Sequence, residues 1–208
     1  MFSLQTIFGK GDQFFNLLNT AAEVAVQSAV ALEHLLEDHG TEATLTEFRL
    51  AREREKEVSA KISQALVDVF ITPLEREDIE ALGTAIYRIP KTIEKFADRY
   101  VLAGERLRDV DFGPRAAMLK EATLLVQQMV QNLSKLKLGA MKRLYDRLRA
   151  VEGEADRLML ETYRDIYSGK YQGLQILLIK DFFELMEKAI DRCRTAGEVC
   201  YEITLKNS

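Results

Sequence analysis

The sequence predicts an all-α protein, and three observations carry that reading. Leu, Ala, Glu, Lys and Arg are abundant, while only three prolines and eleven glycines punctuate 208 residues, a composition that favours helix over sheet. Apolar residues recur three and four apart along long stretches, the spacing that puts them on one face of a helix. The pattern in the second half of the chain then repeats that of the first at an offset of 100 residues.

Taken in order, the first helix is expected from about Asp12 to Asp38, with Phe14, Leu18, Ala21, Ala25, Ala29 and Leu32 along one side, and Gly40 ends it. The second runs from about Thr44 to Phe70. The segment Thr72-Pro73-Leu74-Glu75 then reads as a capping box, with Thr72 as N-cap, Pro73 in the first turn and Glu75 reaching back. Glu77 and Asp78 place negative charge at the positive end of the helix dipole. This third helix is expected to run to about Arg108, bent at Pro90 where an amide hydrogen is missing. Gly113-Pro114 opens the fourth helix, expected to reach Lys137, with Gly139 near the position of Gly40. The fifth is expected from Arg143 to Tyr167, broken by Ser168-Gly169, and the sixth from about Leu174 to the end.

Adding 100 sets Val58 on Leu158, Leu66 on Ile166, Ile79 on Ile179, Leu82 on Phe182 and Ile86 on Met186. Two three-helix halves, residues 1–110 and 111–208, joined in one compact domain by internal duplication, is the organisation this implies. A six-helix bundle with no internal kinship is the alternative.

The net charge of −4 and pI of about 5.4 supply no basic field for nucleic acid. Residues Met1–Lys10 lack a charged segment followed by an apolar run, so no secretory signal is expected. No apolar stretch is long enough for an ordinary transmembrane helix, and a cytoplasmic protein is the expectation. Cys193 and Cys200 stand seven apart on one helix, roughly 10 Å of rise, beyond the reach of a disulfide. They read as buried reduced thiols. Long amphipathic helices permit a homo-oligomer without requiring one.

Chemistry is concentrated in acidic pairs. Glu152 and Asp156 lie four apart on the fifth helix, and Glu187 and Asp191 on the sixth, each pair on one helix face. If the two helices face each other, four carboxylates converge on a site for a hard cation with oxygen ligands: iron, magnesium, manganese or zinc. Spacing alone does not select them, because Glu33/Glu37, Glu53/Glu57, Glu94/Asp98 and Glu161/Asp165 share it. On spacing alone, a solvated helix face is the better account of each pair.

What singles them out is a resemblance. The stretch Phe70-Ile71-Thr72-Pro73-Leu74-Glu75-Arg76-Glu77-Asp78-Ile79, with Glu152-x-x-x-Asp156 and Glu187-x-x-x-Asp191 downstream, resembles the PhoU-related family of phosphate-transport regulators. It is most similar to the branch found as accessory proteins of Pit-type phosphate transporters. The resemblance spans essentially the whole chain. It implies a PhoU-like fold of two pseudo-symmetric three-helix bundles, a non-enzymatic regulatory role and metal binding through Glu/Asp-x-x-x-Asp motifs. The implied partner is a Pit-type transporter or another membrane-associated protein, met peripherally at the inner membrane. Carried onto this sequence, the second half fits through Glu152, Asp156, Glu187 and Asp191. The first half departs: the register positions hold Arg52, Lys56, Tyr87 and Lys91, groups that cannot ligate a divalent cation. They form either a salt-bridge cluster with Glu53, Glu55 or Glu94, or an anion site for a group such as phosphate.

Between Asn132 and Val151, six basic residues (Lys135, Lys137, Lys142, Arg143, Arg147 and Arg149) face one acid, Asp146. This is either a solvated helix connection or a patch for docking onto an anionic membrane surface or a transporter loop. His34 and His39 stand outside any Glu-x-x-His motif, which argues against a ferritin-like di-iron oxidase. No Gly-rich phosphate loop, Ser/His/Asp set or activated Cys appears. A carboxylate-bridged metal enzyme and a metal-free helical scaffold remain the alternatives to a regulator.

Overall fold

The computed structural model describes residues 4–37 and 42–208, with side chains for 12–37 and 45–208. Six helices follow one another: α1 (Leu4–Glu37), α2 (Glu42–Asp68), α3 (Arg76–Ala103), α4 (Gly113–Asn132), α5 (Leu138–Ile166) and α6 (Gly173–Asn207), with short 3-10 turns after α3 and α4. No strand occurs among the described residues. The helices form two triplets, α1–α3 and α4–α6, which meet through α1 against α4 and α3 against α6. The outer helix α2 packs on α1 and α3, and α5 packs on α4 and α6.

Helices consecutive in the chain run in opposite directions, as do the pairs α1/α4 and α3/α6 that join the triplets. Lys120 on α4 meets Glu33 near the end of α1 at 2.6 Å, and Lys206 at the end of α6 meets Asp78 at the start of α3 at 2.7 Å. The rings of Tyr145 and Tyr201 stack where α5 begins beside the end of α6. One end of the molecule therefore carries the α2–α3 turn, the α4–α5 turn and the end of α6.

The heptad-like spacing of α3 explains its place at the centre. Ile79, Leu82, Ile86, Ile89, Ile93 and Phe96 all lie within 1% of full burial, and each such side chain contributes about 1.5–3 kcal/mol of apolar transfer energy. Phe96, Tyr100, Phe112, Phe182 and Phe183 pack ring against ring between the two triplets, so a single apolar core runs through both. Burial recurs at the 100-residue offset: Phe48 and Leu148, Ala51 and Val151, Ile79 and Ile179, Leu82 and Phe182, Ile86 and Met186 are all buried. Residue 110, where the halves were divided, lies in the connection before α4.

Several boundaries differ from the sequence reading. Helix α1 starts at Leu4, eight residues before Asp12, while Asp38, His39 and Gly40 lie outside the described residues. The capping box does not form. The Thr72 hydroxyl donates to the Leu74 carbonyl at 2.6 Å, and α3 begins only after Glu75, whose side chain makes no capping bond. Arg76 instead reaches back to the carbonyls of Leu66, Val69 and Phe70 (3.3 Å for the last), satisfying the end of α2. Helix α3 passes through Pro90 without interruption. Helix α4 stops at Asn132 and α5 starts at Leu138, because Leu136 adopts a left-handed backbone (φ 46°) that few non-glycine residues take. Gly139 consequently lies inside α5. Gly169, with φ 87°, breaks the chain after α5.

Candidate metal centre and its first-half counterpart

On α5 the buried stripe Val151, Ala155 and Met159 faces the core, which sets Glu152 and Asp156 at its flank. On α6, Phe183, Met186 and Ile190 are buried, with Glu187 and Asp191 beside them. The four carboxylates share one neighbourhood. Burial raises the Glu187 carboxyl above its ordinary range, and Asp156, Asp191 and Glu152 raise it further by like-charge repulsion. Glu152 is raised by burial and by Asp156, with Arg194 opposing.

Arg194, one turn beyond Asp191, lies over this cluster. Its Nε is 3.3 Å from Glu152 Oε1 and 3.6 Å from Asp191 Oδ1, and its other arm is 3.1 Å from Glu198 Oε2. The Nε hydrogen is buried yet makes no hydrogen bond of proper geometry. Burial works against the charge on Arg194, but Glu198, Glu152 and Asp191 outweigh it and hold the guanidinium above its ordinary value.

The donor chemistry suits a hard cation, but the side-chain placement does not yet hold one. Among the described residues, no three His, Cys, Asp or Glu groups take up a metal-holding arrangement. A cation entering here must draw Glu152 and Asp191 away from Arg194.

The first half presents the inverse. Arg52 on α2 is buried, at 7% exposure. Its Nε donates to Glu94 on α3 at 2.9 Å, one terminal nitrogen to Glu55, and the other to the Tyr87 hydroxyl at 2.7 Å. The guanidinium carbon lies 4.7 Å from the centre of the Tyr87 ring, a cation–π contact. Burial opposes its charge, but Tyr87, Glu55 and Glu94 together raise its pKa. Lys91 approaches the same ring at 5.6 Å, and Lys56 acts on Glu55 through its charge; both lysines are exposed.

The positions are register-equivalent. Arg52 pairs with Glu94, and 100 residues on, Glu152 pairs with Arg194. The same two positions hold a cation and an anion in both halves, with the signs exchanged. Arg194 is the residue of this cluster that the sequence reading missed, and the signal was present, since the register places it on Glu94.

Of the basic stretch, Lys142 pairs with Asp146 at 2.6 Å and Arg147 donates to Glu121 at 2.6 Å. Lys135, Lys137, Arg143 and Arg149 are exposed. At the same end of the molecule, Val67 in the last turn of α2 and Phe70 and Ile71 in the α2–α3 turn stand at 79%, 95% and 60% exposure, the turn pinned by Arg76. His34 lies 3.4 Å from Glu47. Cys193 and Cys200 are buried and free, and burial pushes both thiols up. A cleft of about 460 Å3 is lined by Glu33, Tyr100, Phe112 and neighbours, with none of Glu152, Asp156, Glu187 and Asp191 among them.

The fold is PhoU-like. No family model matches the chain. A PhoU-like protein from Shewanella oneidensis superposes with a TM-score of 0.79 at 16% identity, over 92% of this chain and 99% of that one. A second PhoU-like protein of that organism gives 0.76 at 17%, over 93% and 99%. By sequence, the chain is 23% identical over 205 residues, 94% of each chain, to a Rhizobium meliloti protein named "Putative pit accessory protein". It is 20% identical over 165 residues, 79% of each chain, to the UPF0111 protein YkaA of Bacillus subtilis. The resemblance to PhoU-related proteins of the Pit accessory branch thus recurs in both fold and sequence.

Proposed function

We propose that this chain is a non-enzymatic accessory or regulatory protein of inorganic phosphate transport, acting at the cytoplasmic face of a Pit-type transporter and holding one metal ion in its second half. The observation that carries the reading is the coincidence of a PhoU-like fold with a relative named for Pit accessory function, aligned over nearly the whole chain. No described helix is long and apolar enough to cross a membrane.

Iron, zinc, magnesium or manganese would be held by Glu152, Asp156, Glu187 and Asp191. Such an ion would offset the repulsion among the four acids and tie α5 to α6. The first half has no such role, since the Arg52 guanidinium already neutralises Glu55 and Glu94 from within. The salt-bridge alternative is therefore favoured over an anion site.

The contact with the transporter is assigned to the end bearing Phe70, Ile71, Lys135, Lys137 and Arg143. A phenylalanine at 95% exposure leaves apolar area that a partner can bury. Co-purification with the cognate transporter tests this. Phe70→Asp/Ile71→Asp or Lys135→Glu/Lys137→Glu/Arg143→Glu variants should lose the complex while keeping their helical content. Retention of the complex by both variants contradicts the assignment.

A further inference from the structure

Resting on the reading of the four acids as a cation site, we propose that Arg194 is a tethered counter-ion that sets the affinity and access of that site. Its Nε edge occupies Glu152 and Asp191 while its other arm holds Glu198, and a metal ion that enters leaves it on Glu198 alone. Three features of the geometry lead there. Arg194 spans two of the four acids, one from each helix, so it stands where an incoming cation must bind. Its third partner, Glu198, lies one turn further along α6 and outside the four, and already holds the guanidinium by its other arm at 3.1 Å, so Nε can leave the cluster while the group stays anchored to the helix surface. Its Nε hydrogen is buried but forms no hydrogen bond of proper geometry, so the contact with Glu152 and Asp191 is one of charge rather than of fixed direction.

The first half shows what a committed guanidinium looks like. Arg52 is buried, donates to three acceptors and stacks on a tyrosine ring. Arg194 has a side chain 28% exposed, its hydrogen bond goes to Glu198 at 3.1 Å, and its contact with Glu152 and Asp191 has no such directional restraint. A partly solvated ion pair of this kind is weak enough for a divalent cation to displace.

Displacement converts the Arg194–acid pairs into a competition, and competition makes opposite predictions for its two partners. Removing the guanidinium should strengthen metal binding. Removing its other acceptor, Glu198, should hold it on the cluster and weaken metal binding.

Manganese(II) titration calorimetry on the full chain at pH 7 tests this, with wild type, Arg194→Gln, Glu198→Gln and Asp156→Asn/Asp191→Asn compared. The expected result is up to about fivefold tighter binding in Arg194→Gln, the scale of one weak ion pair removed. A several-fold loss is expected in Glu198→Gln, and no binding in the double variant. A purely structural Arg194 would instead weaken binding when lost. Equal or weaker binding in Arg194→Gln, with wild type still binding manganese, overturns the counter-ion proposal and leaves the metal site standing. An unchanged Glu198→Gln overturns the anchoring on Glu198. Failure of wild type and Arg194→Gln alike to bind manganese overturns the site itself, and the proposal with it. Because Arg194 is partly exposed, Arg194→Gln should fold; Arg194→Lys, which keeps the charge but not the span, should bind at an intermediate strength.

Discussion

Arg52 and Arg194 place the same group in equivalent seams of the two halves, and burial separates their consequences. Arg52 sits in a closed pocket between α2 and α3, where Glu55, at 3% exposure, has no other source of positive charge as near. Arg194 lies at the rim of the α5–α6 seam, among acids that water also reaches. Removing one member of a buried pair leaves an uncompensated charge in a poorly solvated place, whereas a rim pair exchanges freely with solvent or ions. The first half has made its cation permanent; the second keeps a cation that can be exchanged.

The largest effect that can break this contrast is the stability of Arg52→Ala. It should destabilise the metal-free protein by about 3 kcal/mol, the cost of orphaning a buried carboxylate, as a lowered urea midpoint. A loss below about 1 kcal/mol would mean that the pocket is not closed.

Next comes a position where the halves differ in size. Ala97 and Gly197 are register-equivalent and buried, but a Cβ at Gly197 would come within 2.4 Å of a Leu148 methyl and 3.3 Å of the Met129 sulfur. Gly197→Ala should cost about 1–3 kcal/mol through overpacking, measured by the same denaturation. A neutral or stabilising result would show that Leu148 moves aside and that α6 does not need its close approach to α4 and α5.

Arg194→Gln is expected to cost less than about 1 kcal/mol in metal-free protein. Comparing it with Arg52→Ala in one urea series sharpens the contrast, which fails if the two losses are equal.

The smallest effect is in pH dependence. Burial pushes the Glu55 carboxyl up to about 7 against the opposing charge of Arg52. The unfolded chain releases this proton at an ordinary pKa of about 4.3, while the folded chain keeps it. The group's contribution to stability is therefore whole below the unfolded pKa and is lost as pH rises through about 7. Thermal melts between pH 5 and 8 should show a fall in stability that is shallower in Glu55→Gln. An unchanged slope would assign the effect to other groups.

The apolar spacing of α3 and α6 was strong enough in sequence to place their buried faces correctly, because long periodic helices average over local exceptions. Boundaries were less legible. Leu136 takes a left-handed conformation while its N–H closes the turn on the Leu133 carbonyl at 3.2 Å, which no local preference of leucine signals. The missing capping box has a similar origin: Arg76 serves the end of α2, a contact across a turn that propensity does not encode. In the candidate site, the acids could be placed by register, and the loss of acids at Arg52 and Lys91 was visible. Arg194 was not weighed, because acidic spacing directs attention to like charges and a counter-ion one turn away belongs to no motif. Its register partner Glu94 held the information.

The central claim, one exchangeable cation site in the second half and none in the first, is tested most directly by elemental analysis of protein dialysed against manganese. Wild type and Arg52→Ala should each retain one equivalent per chain, and Asp156→Asn/Asp191→Asn should retain none. Equal metal content in wild type and the double variant would contradict the account.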